Sequence, residues 1–161
     1  LRNKIKNHPR YPYHLLREEM QEFILDKLQL LIERKLIKGI GENGTEYTVI
    51  AQILDLPKEI LRLIQKFDFT KKNPKLIYIN TGETMISLQD SILVTFLNLA
   101  GFDILFFVPT GYQSVENYFA EKLMEEHQIG EYKYDMQVPD LNNISTNSTR
   151  PSWRRKLFRR G

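Results

Sequence analysis

The sequence predicts an α/β fold in which a small three-layer parallel sheet of βαβαβ order, residues 75–139, follows a helical segment of about three helices, residues 13–70. Two observations carry this reading. Short β-rich apolar runs at Leu76-Ile77-Tyr78-Ile79 and Ile104-Leu105-Phe106-Phe107-Val108 flank a stretch with helical spacing, and continuous apolar strands separated by helices favour a parallel sheet covered on both faces. Upstream, apolar residues recur at three- and four-residue steps, as they do on helices that bury one stripe.

The composition supports one shared core. A chain of 161 residues with 42% hydrophobic and 27% charged residues buries enough apolar surface for one ordinary domain, but not for two large cores. The absence of cysteine excludes a disulfide framework, a thiolate nucleophile and a Cys-ligated metal, and it fits a reducing compartment, so a cytoplasmic location is expected. The longest apolar run, Ile104 to Val108, is far shorter than the ~20 residues of a membrane helix. The basic start has no apolar signal core. A first residue Leu1, in the middle of a basic stretch, is expected of a piece of a longer protein. The net charge of +3 reflects the end of the chain: Arg150, Arg154, Arg155, Lys156, Arg159 and Arg160 add positive charge there, with no acidic residue among the last dozen. The body is slightly acidic, which argues against a broad nucleic-acid face.

Residues 1–12 carry Pro9 and Pro12 and are expected to be an extended lead-in. From Tyr13 to Lys38, Leu16, Met20, Phe23, Ile24, Lys27, Leu28, Leu31 and Lys35 mark a long amphipathic helix ended by Gly39 and Gly41. After the Glu42-Asn43-Gly44 turn, Thr45 or Thr48 starts a second helix through Ile50, Ala51, Ile53 and Leu54. Asp55-Leu56-Pro57 breaks it. Asp55 is expected to cap a third helix with Pro57 near its first turn and Ile60, Leu61, Leu63, Ile64 and Phe67 on its apolar side. Lys71-Lys72-Asn73-Pro74 is a polar connector. The first strand follows, then a helix from Ser87 to Ala100 with Ile92, Leu93, Phe96 and Leu97 at helical spacing. Ser87 with Asp90 matches a capping pair, and Gly101 supplies a left-handed helix end. The second strand, a further helix over Ser114 to His127 and a third strand near Tyr132 to Val138 complete the alternation. Residues 140–161 read as an Asn/Ser/Thr-rich linker and a basic tail.

The candidate site is an internal echo. Tyr78-Ile79-Asn80-Thr81-Gly82 and Phe107-Val108-Pro109-Thr110-Gly111 both place Thr-Gly after a strand, with Ser87 and Ser114 as the following caps. In open α/β sheets ligands sit outside the carboxyl ends of strands, where glycine admits close backbone approach and helix amino termini present N–H groups to an anion. Thr81, Gly82, Glu83, Thr110, Gly111, Tyr112 and Ser114 are therefore the expected lining for a small anionic ligand. The competing reading is that the glycines only permit tight turns and the serines only cap helices. Neither turn is a GxGxxG fingerprint or a P-loop.

Glu83 and Glu116 are the carboxylates placed to approach the same crevice for acid/base work, although acidic residues also favour helix amino termini for electrostatic reasons alone. The sequence leaves any cofactor unknown. His8, His14 and His127 lack metal-ligand spacing, and no metal site is expected. Thr48 to Phe67 has a helix-turn-helix outline that would turn Lys58, Glu59, Arg62 and Lys66 toward DNA. It is short of base-reading and phosphate-contacting residues, so a hairpin packed on the sheet is the preferred reading. The tail, with Trp153, Leu157 and Phe158 among its cations, has the composition of a peptide that touches anionic surfaces, or of a solubilising terminus.

Two stretches carry a family resemblance: Leu61-Arg-Leu-Ile-Gln-Lys-Phe-Asp-Phe-Thr70 with Asn73-Pro74-Lys75, and Gly101-Phe-Asp-Ile-Leu-Phe-Phe-Val-Pro-Thr-Gly-Tyr112 with Glu126-His-Gln-Ile129. They resemble the carboxyl-terminal region of the YceG-like proteins. The resemblance covers most of residues 13–161, and members of that family are longer. It implies a bacterial cytoplasmic component of a biosynthetic module tied to tellurite-resistance and stress operons. It also implies partners encoded nearby, of the TelA and TerD kinds. It adds no catalytic or binding residue. The function expected is a ligand-binding domain of a stress-response protein, the alternatives being a non-catalytic interaction module or, less favoured, a DNA-binding protein.

Overall fold

A computed structural model describes residues 1–66, 72–82, 86–112 and 115–138. In chain order the elements are α1 (Arg2–Lys6), α2 (Glu18–Glu33), α3 (Thr45–Leu54), α4 (Lys58–Lys66), β1 (Lys75–Ile79), α5 (Leu88–Leu99) and β2 (Asp103–Phe107). Mixed helix and strand are thus present, with a two-stranded parallel sheet as the only sheet among the described residues.

Helix α2 buries Met20, Gln21, Ile24, Leu25, Leu28 and Leu31, the stripe that three- and four-residue spacing dictates. Glu18 and Glu19 in its first turn complement the positive end of the helix dipole. It stops before the glycines that were expected to end it. Lys35 adopts φ 50°, its N–H donates to Ile32 C=O, and Leu36 N–H donates to Leu31 C=O. Those paired bonds form a Schellman ending, with lysine in the left-handed position that glycine usually fills.

The chain before α2 is not a simple extended lead-in. Helix α1 lies against α2, where Arg2 reaches Asp26 at 3.4 Å and Lys6 bonds Glu18 at 3.0 Å and also Glu22. These exposed pairs are weak and salt-screened. Tyr11 and Tyr13 are buried in the core, their rings edge to face at 5.9 Å.

Tyr13 ties this segment to the break between α3 and α4. Its hydroxyl donates to Ile53 C=O at 2.7 Å and accepts from Leu56 N–H at 3.0 Å. It thereby satisfies two backbone groups that the end of α3 leaves without helical partners. Helix α4 then starts after Pro57, whose carbonyl accepts from Leu61 N–H, and buries Ile64. Phe67, expected on the same side, lies outside the described residues.

Helix α5 is capped as its sequence indicates: Ser87 Oγ accepts from Asp90 N–H at 3.0 Å and donates to Asp90 Oδ2 at 2.7 Å. Gly101, at φ 99°, follows its end. The helix packs against α2, α3 and β2, with Phe96, Ile92 and Leu97 fully enclosed. One buried cluster contains residues from both sides of the 72–74 connector. Strands β1 and β2 pair in parallel with Leu76 opposite Ile104 and Tyr78 opposite Phe106, making a βαβ unit.

The alternation ends there. No third helix forms over 115–127 and no third strand over 132–138. Instead Lys38 N–H donates to Tyr118 C=O and Ala120 N–H to Leu36 C=O, each at 2.9 Å, around an antiparallel bridge of Ile37 with Phe119. Burying Phe119 beside residues 36–38 requires these extended backbone bonds, which a helix through the same residues would break.

Two tyrosine substitutions separate a satisfied hydroxyl from an unsatisfied one. Tyr13→Phe removes both bonds and is expected to lower unfolding free energy by about 1–3 kcal/mol in urea titrations. The Tyr11 hydroxyl has no hydrogen-bond partner among the described residues, so Tyr11→Phe is expected to raise stability by about 1 kcal/mol in the same measurement.

Tyr13 also makes stability depend on pH. Burial pushes the Tyr13 hydroxyl from its ordinary 10.0 up to about 12. The stability contributed by the neutral phenol is therefore complete below pH 10 and lost as pH rises toward 12. Unfolding free energy followed by circular dichroism should fall less steeply over that interval in Tyr13→Phe than in the parent chain.

Candidate functional site

Parallel register brings the two strand-end turns side by side. Ile79 stands opposite Phe107, and Asn80 N–H donates to Phe107 C=O at 2.9 Å, extending the ladder by one bond into the first turn. Thr81 and Gly82 therefore leave the sheet at the same edge as Val108, Pro109 and Thr110. Glu83 and Ser114, the remaining members of the expected lining, lie outside the described residues.

The first turn is held by its own side chain: Asn80 Oδ1 accepts from Gly82 N–H at 3.2 Å. Thr81 is half-buried and Gly82 exposed. In the second, Gly111 N–H donates to Val108 C=O at 3.0 Å, and Thr110 Oγ1 accepts from Tyr112 N–H at 3.4 Å. Thr110 is buried, whereas Tyr112 is half-exposed. Side-chain oxygens thus occupy two of the N–H groups that would face an anion. The bonds are long and their acceptors neutral, and a charged acceptor makes a shorter, stronger bond.

Gly111 is required on two physical grounds. Its φ of 68° lies in the left-handed region, and a Cβ there would run into the ring of Tyr132. Tyr132 was assigned to a third strand from sequence. It instead covers the second turn, with the neighbouring Lys133 N–H donating to Pro109 C=O at 2.8 Å. Only its aromatic character and its position after Gly130 hinted at such a contact.

The acid/base candidate Glu116 is engaged within its own loop, where Oε1 accepts from Met124 N–H at 3.2 Å. Asp103 sits at the opposite end of the sheet. Hydrogen bonds from Lys75, at 2.6 Å, and from Asn73 hold its carboxyl below the usual range. In α4, Lys58, Glu59, Arg62 and Lys66 are exposed. Shallow depressions lined by residues 122–127 and by Arg17, Met20, Phe23 and Ile64 lie away from the turns in sequence. Among the described residues no group of three or more His, Asp or Glu is placed to hold a metal ion. No described helix is long and apolar enough to cross a membrane.

Gly111→Ala should cost about 1–2 kcal/mol from the left-handed backbone alone, and more from the clash with Tyr132. Adding Tyr132→Ala should recover the clash but not the backbone cost, measured as a double-mutant cycle in urea.

Comparison with known proteins places these elements in a family. Residues 1–149 match the family model described as the YceG domain. A Bacillus subtilis (strain 168) protein described as "Uncharacterized protein YceG" is 31% identical over 93 residues, which cover 56% of this chain and 17% of that protein. The matched stretch is therefore about a sixth of the length of this curated relative. No solved structure matches. Because the family model runs through every described residue, the chain belongs to the YceG domain family.

Proposed function

We propose that this chain is a ligand-binding α/β segment of a YceG-family protein, taking a small anion at the paired strand-end turns. The observation that supports it most directly is the bond from Asn80 N–H to Phe107 C=O, which sets Thr81-Gly82 beside Thr110-Gly111-Tyr112. The Gly82 and Tyr112 N–H groups are the donors. An anionic oxygen would replace Asn80 Oδ1 and Thr110 Oγ1, which act as weaker, neutral acceptors in its absence. Glu83, next to Gly82 in sequence, and Ser114, two residues beyond Tyr112, belong to the same proposed lining.

Family membership supports the wider context of this reading. In it, the chain corresponds to the carboxyl-terminal region of a longer bacterial protein, acting in the cytoplasm in a tellurite-resistance or stress response. It serves there as one component of a biosynthetic module with TelA- and TerD-like partners.

The site reading is tested by titrating the ¹⁵N-labelled chain with inorganic phosphate at constant ionic strength. The Gly82 and Tyr112 amide resonances should move together and saturate with one dissociation constant. If both stay fixed, or all shifts grow linearly without saturation, the anion site is wrong.

A further inference from the structure

The two faces of the sheet are unequally covered. Leu76, Tyr78, Ile104 and Phe106 pack against the core, with the Tyr78 and Phe106 rings stacked at 5.0 Å. On the other face the register sets Lys75 against Asp103, Ile77 against Leu105, and Ile79 against Phe107. The ion pair closes one end of this face, and the remaining four side chains are all large and apolar. They are 57% (Ile77), 50% (Leu105), 40% (Ile79) and 49% (Phe107) exposed. A parallel sheet is ordinarily covered on both faces, and strands apolar at every position are the pattern of that double burial.

We propose that this outer face is an internal packing surface, covered by an amphipathic helix from another part of a YceG-family polypeptide. Size distinguishes this occupant from a second copy of the chain. Four half-exposed side chains form a patch on the order of a few hundred Å². Stable association of separate folded proteins takes about 800 Å² from each partner. Two successive cross-strand pairs extend ~7 Å along the strands, which matches the ~6 Å between residues four apart on a helix. A single apolar helix stripe fits that footprint. Charge argues against a lipid surface, because Lys75, the cation that β1 and β2 carry on this face, is paired with Asp103. Length leaves room for such a segment: the Bacillus subtilis relative has more than four-fifths of its sequence outside the matched stretch. The inference is independent of the anion site, which lies at the strand ends rather than on the face.

Hydroxyl-radical footprinting read by mass spectrometry tests it on intact proteins. The full-length Bacillus subtilis relative is compared with the 161-residue chain, at the positions equivalent to Ile77, Ile79, Leu105 and Phe107. Oxidation should be roughly tenfold slower in the relative, as expected when an exposed apolar patch becomes interior. Leu105→Lys should leave the melting temperature of the 161-residue chain unchanged, while the equivalent change in the relative lowers it by several degrees. Equal oxidation rates in the two proteins would overturn the proposal. So would an unchanged melting temperature for the equivalent of Leu105→Lys in the relative. Protection already present in the 161-residue chain at all concentrations would place the occupant within residues 1–161. Protection that appears with concentration, alongside dimers in sedimentation, would assign the face to a second copy. Either result also defeats the inference.

Discussion

Burial of helix α5 is the constraint on which the rest of the structure depends. It is the element that touches both the helical layer, through α2 and α3, and the sheet, through β2. A helix buried on more than one side cannot keep a polar face in water. The sequence LQDSILVTFLNL meets this with short polar residues that satisfy themselves: Ser91 Oγ donates to Ser87 C=O and Thr95 Oγ1 to Ser91 C=O, at 2.9 and 2.8 Å. Ser91 and Thr95 are thereby buried without stranded hydroxyls, and α5 presents nearly its whole circumference to neighbours. Truncating a buried aromatic such as Phe96 would open a cavity costing about 3–5 kcal/mol, a large part of the stability of a domain this size.

The position of α5 also decides which surfaces of the sheet stay open. By packing against β2 on the face that Leu76, Tyr78, Ile104 and Phe106 turn to the core, it leaves the strand ends and the opposite face as the open surfaces of the sheet among the described residues. These differ chemically. The strand ends carry backbone donors held by neutral side-chain acceptors, suited to a small polar ligand. The outer face is apolar and closed at one end by an ion pair, suited to another secondary-structure element. A single short sheet therefore offers two surfaces without either interfering with the other.

Much of the local structure was readable because its causes are local. The Ser87–Asp90 cap, the spacing of Ile24, Leu28 and Leu31, and the break at Asp55-Leu56-Pro57 depend on residues within a few positions of one another. The apolar runs that became β1 and β2 carried a further signal, double burial, which the described residues meet on one face. The strand-end turns were also legible in placement: parallel pairing of the two runs obliges Thr81-Gly82 and Thr110-Gly111 to leave at one edge. What did not show was their internal bonding, and the Tyr132 ring over Gly111, because both depend on how the chain folds back.

Sequence by itself thus determined the βαβ unit, the break between α3 and α4 and the edge where the Thr-Gly turns meet, since each follows from periodicity, capping and strand alternation. Tertiary structure alone decided the rest. Residues 115–120 have helical spacing, yet their backbone pairs with residues 36–38 because burying Phe119 there supplies contacts that a lone helix would lack. Lys35 rather than Gly39 ends α2, since the Schellman bonds to Leu31 and Ile32 form at that point and outweigh the cost of a left-handed lysine. Tyr13, read as the start of a helix, became the partner of Ile53 and Leu56, forty residues away. In each case a distant segment satisfied backbone groups or filled core volume, and such pairing leaves no mark in the local pattern.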